Sequence, residues 1–255
     1  MIKPKLFGYS FKYAAKTDIG LQRSSNQDEI ICCPEYGFFA VSDGMGGMRC
    51  GGETSAMIAK ALPGLIGQAY EALTDDPRPE RAAKLLDGQV RLLSDSIYKR
   101  TNRGGKADFG ATLCGVWLVK DRAVFVNLGD SRGYWLGYYK KRIRQVTKDH
   151  NIAALLVESG ELSREEARFH PSSSSLTRFV GMANPALPET FMEKLKPGDR
   201  ILLCSDGLYG MTEEERLPII LRSSRSPERV VKRLVDYANG CVGRDNISAV
   251  YIKVL

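Results

Sequence analysis

The sequence has no long apolar run and no apolar leader. No hydrophobic stretch approaches the ~20 residues that cross a bilayer, and residues 1–5 lack the apolar segment of a signal peptide. We therefore expect a cytoplasmic protein with no membrane partner. At 255 residues, with 43% hydrophobic and 26% charged residues, the chain is long enough for a single domain, residues 1–255, with a sizeable core.

Histidine is scarce, and the cysteines are not spaced as metal ligands. The chain has two histidines and six cysteines, none of them in a C-x-x-C pattern. Several cysteines lie inside apolar strand patterns, which indicates reduced core residues and not a disulfide framework. Because zinc in proteins is bound mainly by His and Cys, a zinc hydrolase is disfavoured.

Two nucleotide-binding motifs are also missing. The chain contains neither a G-x-x-x-x-G-K-[ST] phosphate loop nor a G-x-G-x-x-G fingerprint, which weighs against nucleoside triphosphatases and dinucleotide-binding enzymes. The net charge is +7, but the one tight basic cluster, residues 140–142, is typical of a solvated hairpin. We expect no nucleic-acid partner, although a basic surface suits phosphorylated substrates through long-range attraction.

Two long helical patterns lie between blocks of strands. Apolar spacing predicts helices over residues 53–73, with a kink or a break at Pro63, and 79–99, with later helix starts at Thr212 and Pro227. From residue 110 the pattern changes to short strands separated by turns, which predicts an antiparallel meander through residue 146. The last strand is predicted over residues 247–254.

Residues 148–184 differ from the strand blocks and are predicted to form a flap. They contain a short amphipathic helix over residues 152–159 and both histidines of the chain. The four serines at 172–175 have small side chains, and nothing in the sequence anchors them. We therefore predict that this subdomain is mobile and covers the main domain.

Aspartates recur at the borders of strand patterns, each beside a turn-forming residue. They are Asp43, Asp130, Asp206 and Asp245. A single turn such as Asp43-Gly44 is ordinary, but the recurrence suggests that these carboxylates converge at one end of a sheet sandwich. Oxygen ligands without His or Cys favour Mg²⁺ or Mn²⁺. The sequence therefore predicts a site for divalent cations.

A polar loop over residues 17–28 precedes the second strand. It holds two aspartates, an arginine and an asparagine and has little with which to build a core. A solvated connection is one interpretation. The functional interpretation makes Arg23 an anion-binding cation beside Asp28, a further metal-binding carboxylate.

Eight blocks of the sequence resemble, in order, the signature blocks of one family. They are Thr17-Asp18-Ile19-Gly20 with Arg23 and Asn26-Gln27-Asp28; Asp43-Gly44-Met45-Gly46-Gly47; Phe109-Gly110-Ala111-Thr112; Gly129-Asp130-Ser131-Arg132; Thr147-Lys148-Asp149-His150; Leu176-Thr177-Arg178; Gly198-Asp199 with Leu203-Cys204-Ser205-Asp206-Gly207-Leu208; and Asp245-Asn246-Ile247. The chain thus resembles the metal-dependent serine/threonine protein phosphatases of type 2C in their bacterial form. The blocks span residues 17–247, nearly the whole chain.

The resemblance implies an α+β fold, a four-layer α-β-β-α sandwich with two central antiparallel sheets flanked by helix pairs. It also implies two Mn²⁺ or Mg²⁺ ions at one end of the sandwich and a third, weaker one. Asp43 would bridge two ions, with the Gly44 carbonyl on one of them. Asp206 and Asp245 would hold the first ion, and Asp28 would hold the other through water.

The resemblance further assigns Asp130 to the third ion and Arg23 to the substrate phosphate. His170 matches a histidine of bacterial relatives, but the serines at 172–175 replace the Arg-Asn that follows it there. A substrate-binding role for His170 and a plain surface position are both open. Met45 stands where eukaryotic members have a histidine, so no imidazole at this position protonates the leaving group.

The sequence thus predicts a protein serine/threonine phosphatase in which a metal-activated water attacks phosphorus. Its partners would be phosphorylated proteins and a serine/threonine kinase that it opposes, and it would act as a monomer. One alternative is a non-catalytic binding member of the same fold, although four expected ligands are present, Asp28, Asp43, Asp206 and Asp245. Another is a metal-dependent phosphodiesterase or nuclease, suggested by the charge of +7 alone.

Overall fold

The protein folds as two antiparallel sheets with helices on both outer faces. The computed structural model describes residues 1–45, 47–101, 109–183 and 185–255, with the backbone alone for residues 47–50. The strands are β1 (Phe11–Asp18), β2 (Asp28–Cys33), β3 (Phe38–Met45), β4 (Gly110–Ala111), β5 (Leu113–Val119), β6 (Arg122–Leu128), β7 (Arg132–Leu136), β8 (Arg144–Gln145), β9 (Glu189–Lys194), β10 (Arg200–Cys204) and β11 (Ile247–Val254). The helices are α1 (Gly47–Thr74), α2 (Pro79–Thr101), α3 (Ile152–Glu158), α4 (Arg164–Phe169), α5 (Asp206–Tyr209), α6 (Leu217–Arg222) and α7 (Pro227–Gly240).

Three hydrophobic layers hold the sandwich together. The first sheet has the order β1-β11-β10-β7-β8, and the second has β2-β3-β5-β6-β9, with β4 paired to β3. Trp117 packs under α1 and α2, Phe39 and Val250 pack between the sheets, and Tyr251 packs under α6 and α7. Because β5 has a layer on each side, all its residues are buried, which explains its continuous apolar sequence. The predicted four-layer sandwich is confirmed.

The two long predicted helices are confirmed, and a break at Pro63 is wrong, whereas a kink there stays a prediction. Helix α1 begins earlier than the predicted residue 53 and continues through Pro63. Ile58, Leu62 and Ile66 are fully buried on either side of it. Their packing against the second sheet offsets the backbone hydrogen bond that proline removes.

The predicted meander over residues 110–146 is wrong in its connectivity. Strands β5 and β6 pair in the second sheet, whereas β7 and β8 belong to the first. The turn between β6 and β7 contains Gly129 at a φ of 119°, a conformation that favours glycine. This turn carries the chain from one sheet to the other, and β6 pairs with β9 instead. Sequence spacing does not separate a hairpin from such a crossing, because both need only a short turn.

The predicted helix start at Thr212 is also wrong. Thr212 is buried, and its carbonyl accepts a hydrogen bond from Arg168 Nη2 at 2.8 Å. Helix α6 begins later, with Pro218 in its first turn. Proline is tolerated there because the N–H groups of the first turn make no intrahelical hydrogen bond. The start at Pro227 is confirmed, with the side chain of Ser226 as its N-cap.

The segment predicted as a flap contains α3, α4 and a 3-10 turn at Pro171–Ser174. The serine run is anchored, contrary to the prediction. Ser172 N donates to His170 Nδ1 at 3.2 Å, and the Ser175 carbonyl accepts from Ile152 N at 3.0 Å. The mobility of the flap and its separate status as a subdomain stay predictions.

Candidate metal centre

Strand pairing brings Asp43 and Asp28 together. Asp43 in β3 stands directly opposite Asp28 in β2. Thr112 fixes this end of β3, since its Oγ1 accepts from Asp43 N at 2.9 Å and its N–H donates to Asp43 O at 2.8 Å. Asp28 Oδ2 accepts a hydrogen bond from Ser205 Oγ, just after β10 of the first sheet, at 2.7 Å. The pair therefore lies where the two sheets meet.

Gly44 marks a close contact between β3 and α1. A Cβ on Gly44 would lie 2.2 Å from the Gly51 carbonyl oxygen, and a Cβ on Gly51 would lie 2.7 Å from the Gly44 oxygen. Gly44 N also donates to Gln27 O at 3.1 Å. This approach requires glycine on both sides. It explains the glycine that follows Asp43, and the metal-binding role of the Gly44 carbonyl stays a prediction.

Asp206 and Asp245 come from neighbouring strands of the first sheet. Asp206 opens α5 just after β10, and Asp245 precedes β11. The turns that carry them touch, because a Cβ on Gly207 would lie 2.0 Å from Asn246 O. Asn246 Oδ1 accepts from Gln27 N at 2.9 Å, which ties this turn to the loop before β2.

Asp130 is placed by the turn between β6 and β7. Gly129 N donates to Nδ1 of the buried His150 at 3.2 Å, and His150 N donates to Gly129 O at 3.0 Å. Asn127 Nδ2 also donates to Gly129 O at 3.0 Å. Burial lowers the pKa of His150 to about 4, so the ring is neutral near pH 7 and its Nδ1 can accept. His150 is therefore a positioning residue for Asp130.

The aspartates lie close together, with Asp28 and Asp130 buried and the others partly buried, and the pKa of four of them is raised. Burial raises the pKa of Asp43 well above its usual range, and the Asp206 and Asp28 carboxylates raise it further. Burial and the charge of Asp206 likewise raise the pKa of Asp130. Burial, with the Asp206 and Asp245 carboxylates, raises the pKa of Asp28 to about 7. Such a cluster needs protons or cations to offset its own repulsion.

Arg23 reaches this cluster from the loop before β2. Its Nη2 forms an ion pair with Asp245 Oδ2 at 2.6 Å, and half of its side chain is exposed. The hydrogen bond to Asp245 raises the pKa of Arg23, and the charge of Asp206 adds to the shift. A half-exposed guanidinium at this position can also bind an anion that approaches the carboxylates.

The donor set fits hard divalent cations. Asp28 Oδ1 and Asp206 Oδ1 are buried and have no hydrogen-bond partner among the described residues. Free carboxylate oxygens that repel one another suit Mg²⁺ or Mn²⁺, which prefer oxygen ligands.

The side chains are not yet arranged around a cation. Within the described part of the chain, no three His, Cys, Asp or Glu side chains stand in an arrangement that could hold a metal ion. The Asp43 and Asp206 carboxyl groups lie close enough to shift each other's pKa, and Asp245 is bonded to Arg23. Cation binding here would require side-chain rotation, which would exchange these contacts for metal–oxygen contacts.

His170 makes its contacts inside the flap. It ends α4, and its Nδ1 accepts the hydrogen bond from Ser172 N. Among the described residues, no contact joins His170 to an aspartate of the cluster. Its substrate-binding role stays a prediction.

Arg132 and Asp149 support the site, although the sequence assigned them no role. Arg132 Nη2 pairs with Asp149 Oδ2 at 2.6 Å, and the Arg132 Cζ lies 3.6 Å from the ring centroid of Tyr209. Arg132 follows the turn that holds Asp130, and Tyr209 ends the short helix that Asp206 begins. We call the contacts of Arg132 with Asp149 and Tyr209 the Arg132 clamp. The clamp joins the segments that carry Asp130 and Asp206, two candidate ligands. Arg132 and Asp149 both lie in the eight blocks that resemble the family's signature blocks. Their place in those blocks could have identified them as site residues.

Residues 129–133 fit the G-x-S-x-G pattern of serine hydrolases. Ser131 is nonetheless buried, and its Oγ lies 2.7 Å from Thr112 Oγ1. The hydroxyl thus braces the end of β3 through Thr112, and the geometry does not present it as a nucleophile.

Known proteins share both the sequence and the fold. The family model described as protein phosphatase 2C matches residues 22–239. The chain is 32% identical over 243 residues to the serine/threonine phosphatase stp of Listeria welshimeri serovar 6b, over 93% of this chain and 94% of that protein. The S. agalactiae serine/threonine phosphatase structure has a TM-score of 0.83 at 27% identity, over 96% of this chain and 100% of that one.

A neighbour with bound metal has the same fold. The catalytic domain of the serine/threonine protein phosphatase PstP, in complex with two manganese ions, has a TM-score of 0.76 at 28% identity, over 96% of this chain and 98% of that one. In the part of the chain that the structure describes, no helix combines the length and apolar character needed to span a membrane. The chain belongs to the protein phosphatase 2C family of metal-dependent serine/threonine protein phosphatases.

Proposed function

We propose that the carboxylate cluster holds two divalent cations, Mn²⁺ or Mg²⁺, with a third bound more weakly, for the hydrolysis of phosphoserine and phosphothreonine in proteins. One observation carries this proposal, the convergence of five aspartates from both sheets at one end of the sandwich. They are Asp28, Asp43, Asp130, Asp206 and Asp245. The repulsion among them favours cation binding, because cations replace the protons that the buried carboxyl groups otherwise retain.

The positions of the aspartates support distinct roles. Asp43 stands opposite Asp28, and the Asp206 carboxylate is close enough to raise its pKa, so it is the candidate to bridge two ions. Asp206 and Asp245 would hold one of these ions. Asp28 would hold the other through water, and Asp130 would join Asp206 at the third.

Arg23 would orient the substrate. When bound, divalent cations supply positive charge at the phosphoryl oxygens and lower the pKa of the attacking water. The Arg23 guanidinium would exchange its bond to Asp245 for phosphate oxygens, which its planar fork fits. Because this exchange releases a carboxylate oxygen of Asp245, phosphate binding and cation binding both favour opening the ion pair.

The proton for the leaving oxygen would come from water or from the flap. Position 45 is a methionine, and the neutral His150 accepts the Gly129 N–H through its Nδ1. His170 of the flap is the remaining histidine. We infer that it approaches the substrate when a phosphoprotein lies across the centre.

Phosphorylated proteins would be the substrates, and the enzyme would oppose a serine/threonine kinase. A net charge of +7 supports attraction of phosphorylated, anionic segments. The extent of the phosphatase domain over residues 1–255 with a flap at 148–184, the monomeric state and the cytoplasmic location stay predictions from the sequence.

The test is hydrolysis of a phosphothreonine peptide and of p-nitrophenyl phosphate with Mn²⁺ or Mg²⁺ added. Asp43→Asn should lower kcat/KM on the order of 100-fold or more, because the bridging position loses its charge. Asp87→Asn is the matched control, since Asp87 pairs with Arg91 on α2, and it should change kcat/KM little. Activity that survives chelation, or that Asp43→Asn leaves intact, would overturn the proposal.

A further inference from the structure

Three cations stand side by side across the first sheet. Lys12 of β1 is directly opposite Lys253 of β11, and Lys253 is opposite Arg200 of β10. They share the face covered by α7, because the residues two positions along each strand pack in the core beneath that helix, namely Ala14, Tyr251 and Leu202. We call Lys12, Lys253 and Arg200 the distal row.

The distal row lies at the opposite end of the sandwich from the aspartates. Strand β11 starts just after Asp245 and reaches Lys253 near its far end. At the rise of a β-strand, these two residues are about 25 Å apart. The row therefore does not belong to the candidate metal centre.

Arg200 is an unusual member of this row because it is buried. Its exposed fraction is 8%, and its Nε has no hydrogen-bond partner among the described residues. Its Nη1 donates to Gly198 O at 2.8 Å, which holds the guanidinium in place. A fixed, buried guanidinium with a free N–H is suited to an anion.

Helix α7 begins beside the row. A cavity of about 310 Å³ is lined by Lys12, by Arg225 and Ser226 before the helix, and by Glu228 in its first turn. The N-terminus of this 14-residue helix adds a partial positive charge. The carboxylate of Glu228 is engaged with the Ser226 hydroxyl.

The positive charges are balanced only in part, by the attraction between Lys12 and the Glu228 carboxylate. Within the residues that the structure describes, Lys12, Lys253 and Arg225 form no ion pair. Burial lowers the pKa of Lys253, and the positive charges of Arg200 and Lys12 lower it further. Like charges directly opposite across strands are destabilising, so an anion bound here would stabilise the fold.

We propose that the distal row, together with Arg225, binds a phosphate-class oxyanion. The ligand is a tetrahedral dianion, either free phosphate or the phosphate ester of a phosphorylated protein segment. Arg225 supplies planar donors for its oxygens, Lys12 lines the same cavity, and Lys253 and Arg200 add positive charge beside it. This site goes beyond the proposed function, because it lies outside the carboxylate cluster.

The test follows amide NMR signals during titration with inorganic phosphate in Mg²⁺ buffer at constant ionic strength. The amides of Lys12, Lys253 and Glu228 should shift in a saturable way. The double variant Arg225→Gln, Lys253→Met should raise the dissociation constant read from these amides about tenfold or more. The matched control is Lys140→Gln, Arg142→Gln, which removes the same charge from exposed residues of the β7–β8 turn and should leave the constant unchanged.

Two further readouts keep this test separate from the metal centre. Hydrolysis of p-nitrophenyl phosphate should be the same in both double variants, so loss of the distal site and failure of the proposed function are distinguishable. Lys253→Met alone should keep or raise the melting temperature in chloride buffer, because it removes repulsion, and should reduce the rise on adding phosphate.

A non-hydrolysable phosphonate peptide identifies the source of the oxyanion. Tighter binding of inorganic phosphate at the distal amides supports a free anion, and tighter binding of the peptide supports a phosphorylated segment. Absence of saturable shifts with both probes, or equal weakening in the Lys140, Arg142 control, would overturn the proposal.

Discussion

Asp28 shows how far its surroundings change a single carboxyl group. Burial raises its pKa to about 7, against a usual 3.8, while the hydroxyl of Ser205 stabilises the charged form. The sequence identified Asp28 as a ligand candidate. The size of the shift depends on neighbours such as Asp206 and Asp245, which only the fold brings close.

The raised pKa predicts a pH dependence for the metal-free protein. Between about pH 4 and pH 7 the folded state holds a proton at Asp28 that the unfolded state has lost, so stability falls as pH rises through this window and then levels off. Urea unfolding in EDTA should give a lower free energy of unfolding at pH 8 than at pH 5.

Asp28→Asn tests the origin of this slope. The amide does not titrate, so the variant should lose part of the decrease between pH 5 and pH 8, and Asp43, Asp130 and Asp206 should supply the rest. An identical slope in wild type and Asp28→Asn would show that Asp28 is not responsible.

At the scale of elements, the Arg132 clamp joins β7, the Asp149 turn and α5. Besides its bonds to Asp149, Arg132 donates to the Tyr134 hydroxyl at 3.2 Å, and Gln145 Nε2 donates to Asp149 Oδ1 at 2.8 Å. The ion pair is mostly buried, so the geometry of its partners determines its contribution.

We predict that Arg132→Met lowers the free energy of unfolding by about 3 kcal/mol, because it leaves the Asp149 carboxylate buried without its partner. Urea denaturation measures this. Arg91→Met is the matched control, because the Arg91–Asp87 pair on α2 is more exposed, and it should cost under about 1 kcal/mol. Similar losses in the two variants would contradict a supporting role for the clamp.

The contact between β3 and α1 gives a second prediction at this scale. Gly44→Ala should destabilise the fold and weaken Mn²⁺ binding, because its Cβ would lie 2.2 Å from the Gly51 oxygen. Gly88→Ala in α2 is the matched control; nothing lies within 4 Å of its Cβ, so it should stabilise the helix by up to about 1 kcal/mol. Thermal unfolding and a Mn²⁺ titration measure both effects. A neutral Gly44→Ala would show that the two backbones can separate freely.

At the scale of the whole molecule, the candidate centre joins the two sheets. Asp28 and Asp43 belong to the second sheet, and Asp206 and Asp245 flank strands of the first. The Ser205–Asp28 hydrogen bond already crosses between them. Cations held by both sets of carboxylates would therefore act as a further link between the sheets.

We predict that Mn²⁺ raises the melting temperature and that EDTA reverses the rise. By linkage, a cation at about 100 times its dissociation constant adds about 2.7 kcal/mol to the free energy of unfolding. Differential scanning calorimetry with and without metal measures the shift, and Asp43→Asn should reduce it. A melting temperature that does not respond to Mn²⁺ would contradict cation binding at this interface.

Local patterns in the sequence predicted most of the elements, and the family resemblance predicted the layers. The spacing of Leu86, Val90 and Leu93 places one face of α2 inward, and the structure buries all three. It did not predict that the turn at Gly129 crosses between sheets, because a short glycine turn also serves a hairpin. Nor did it predict that Thr212 lies in a turn, where its carbonyl is held by Arg168.

The sequence by itself determined the kind of chemistry, because the residue types fix which ligands are available. Aspartates beside glycines, with two histidines and no paired cysteines, indicate an oxygen-ligated cation site. Only the tertiary structure decided which contacts these groups make. The ion pair of Arg23 with Asp245 joins residues far apart in the chain, and so does the distal row of Lys12, Lys253 and Arg200. The raised pKa of Asp28 likewise depends on residues distant in sequence. Such proximity is set by strand pairing and sheet packing, which no local pattern encodes.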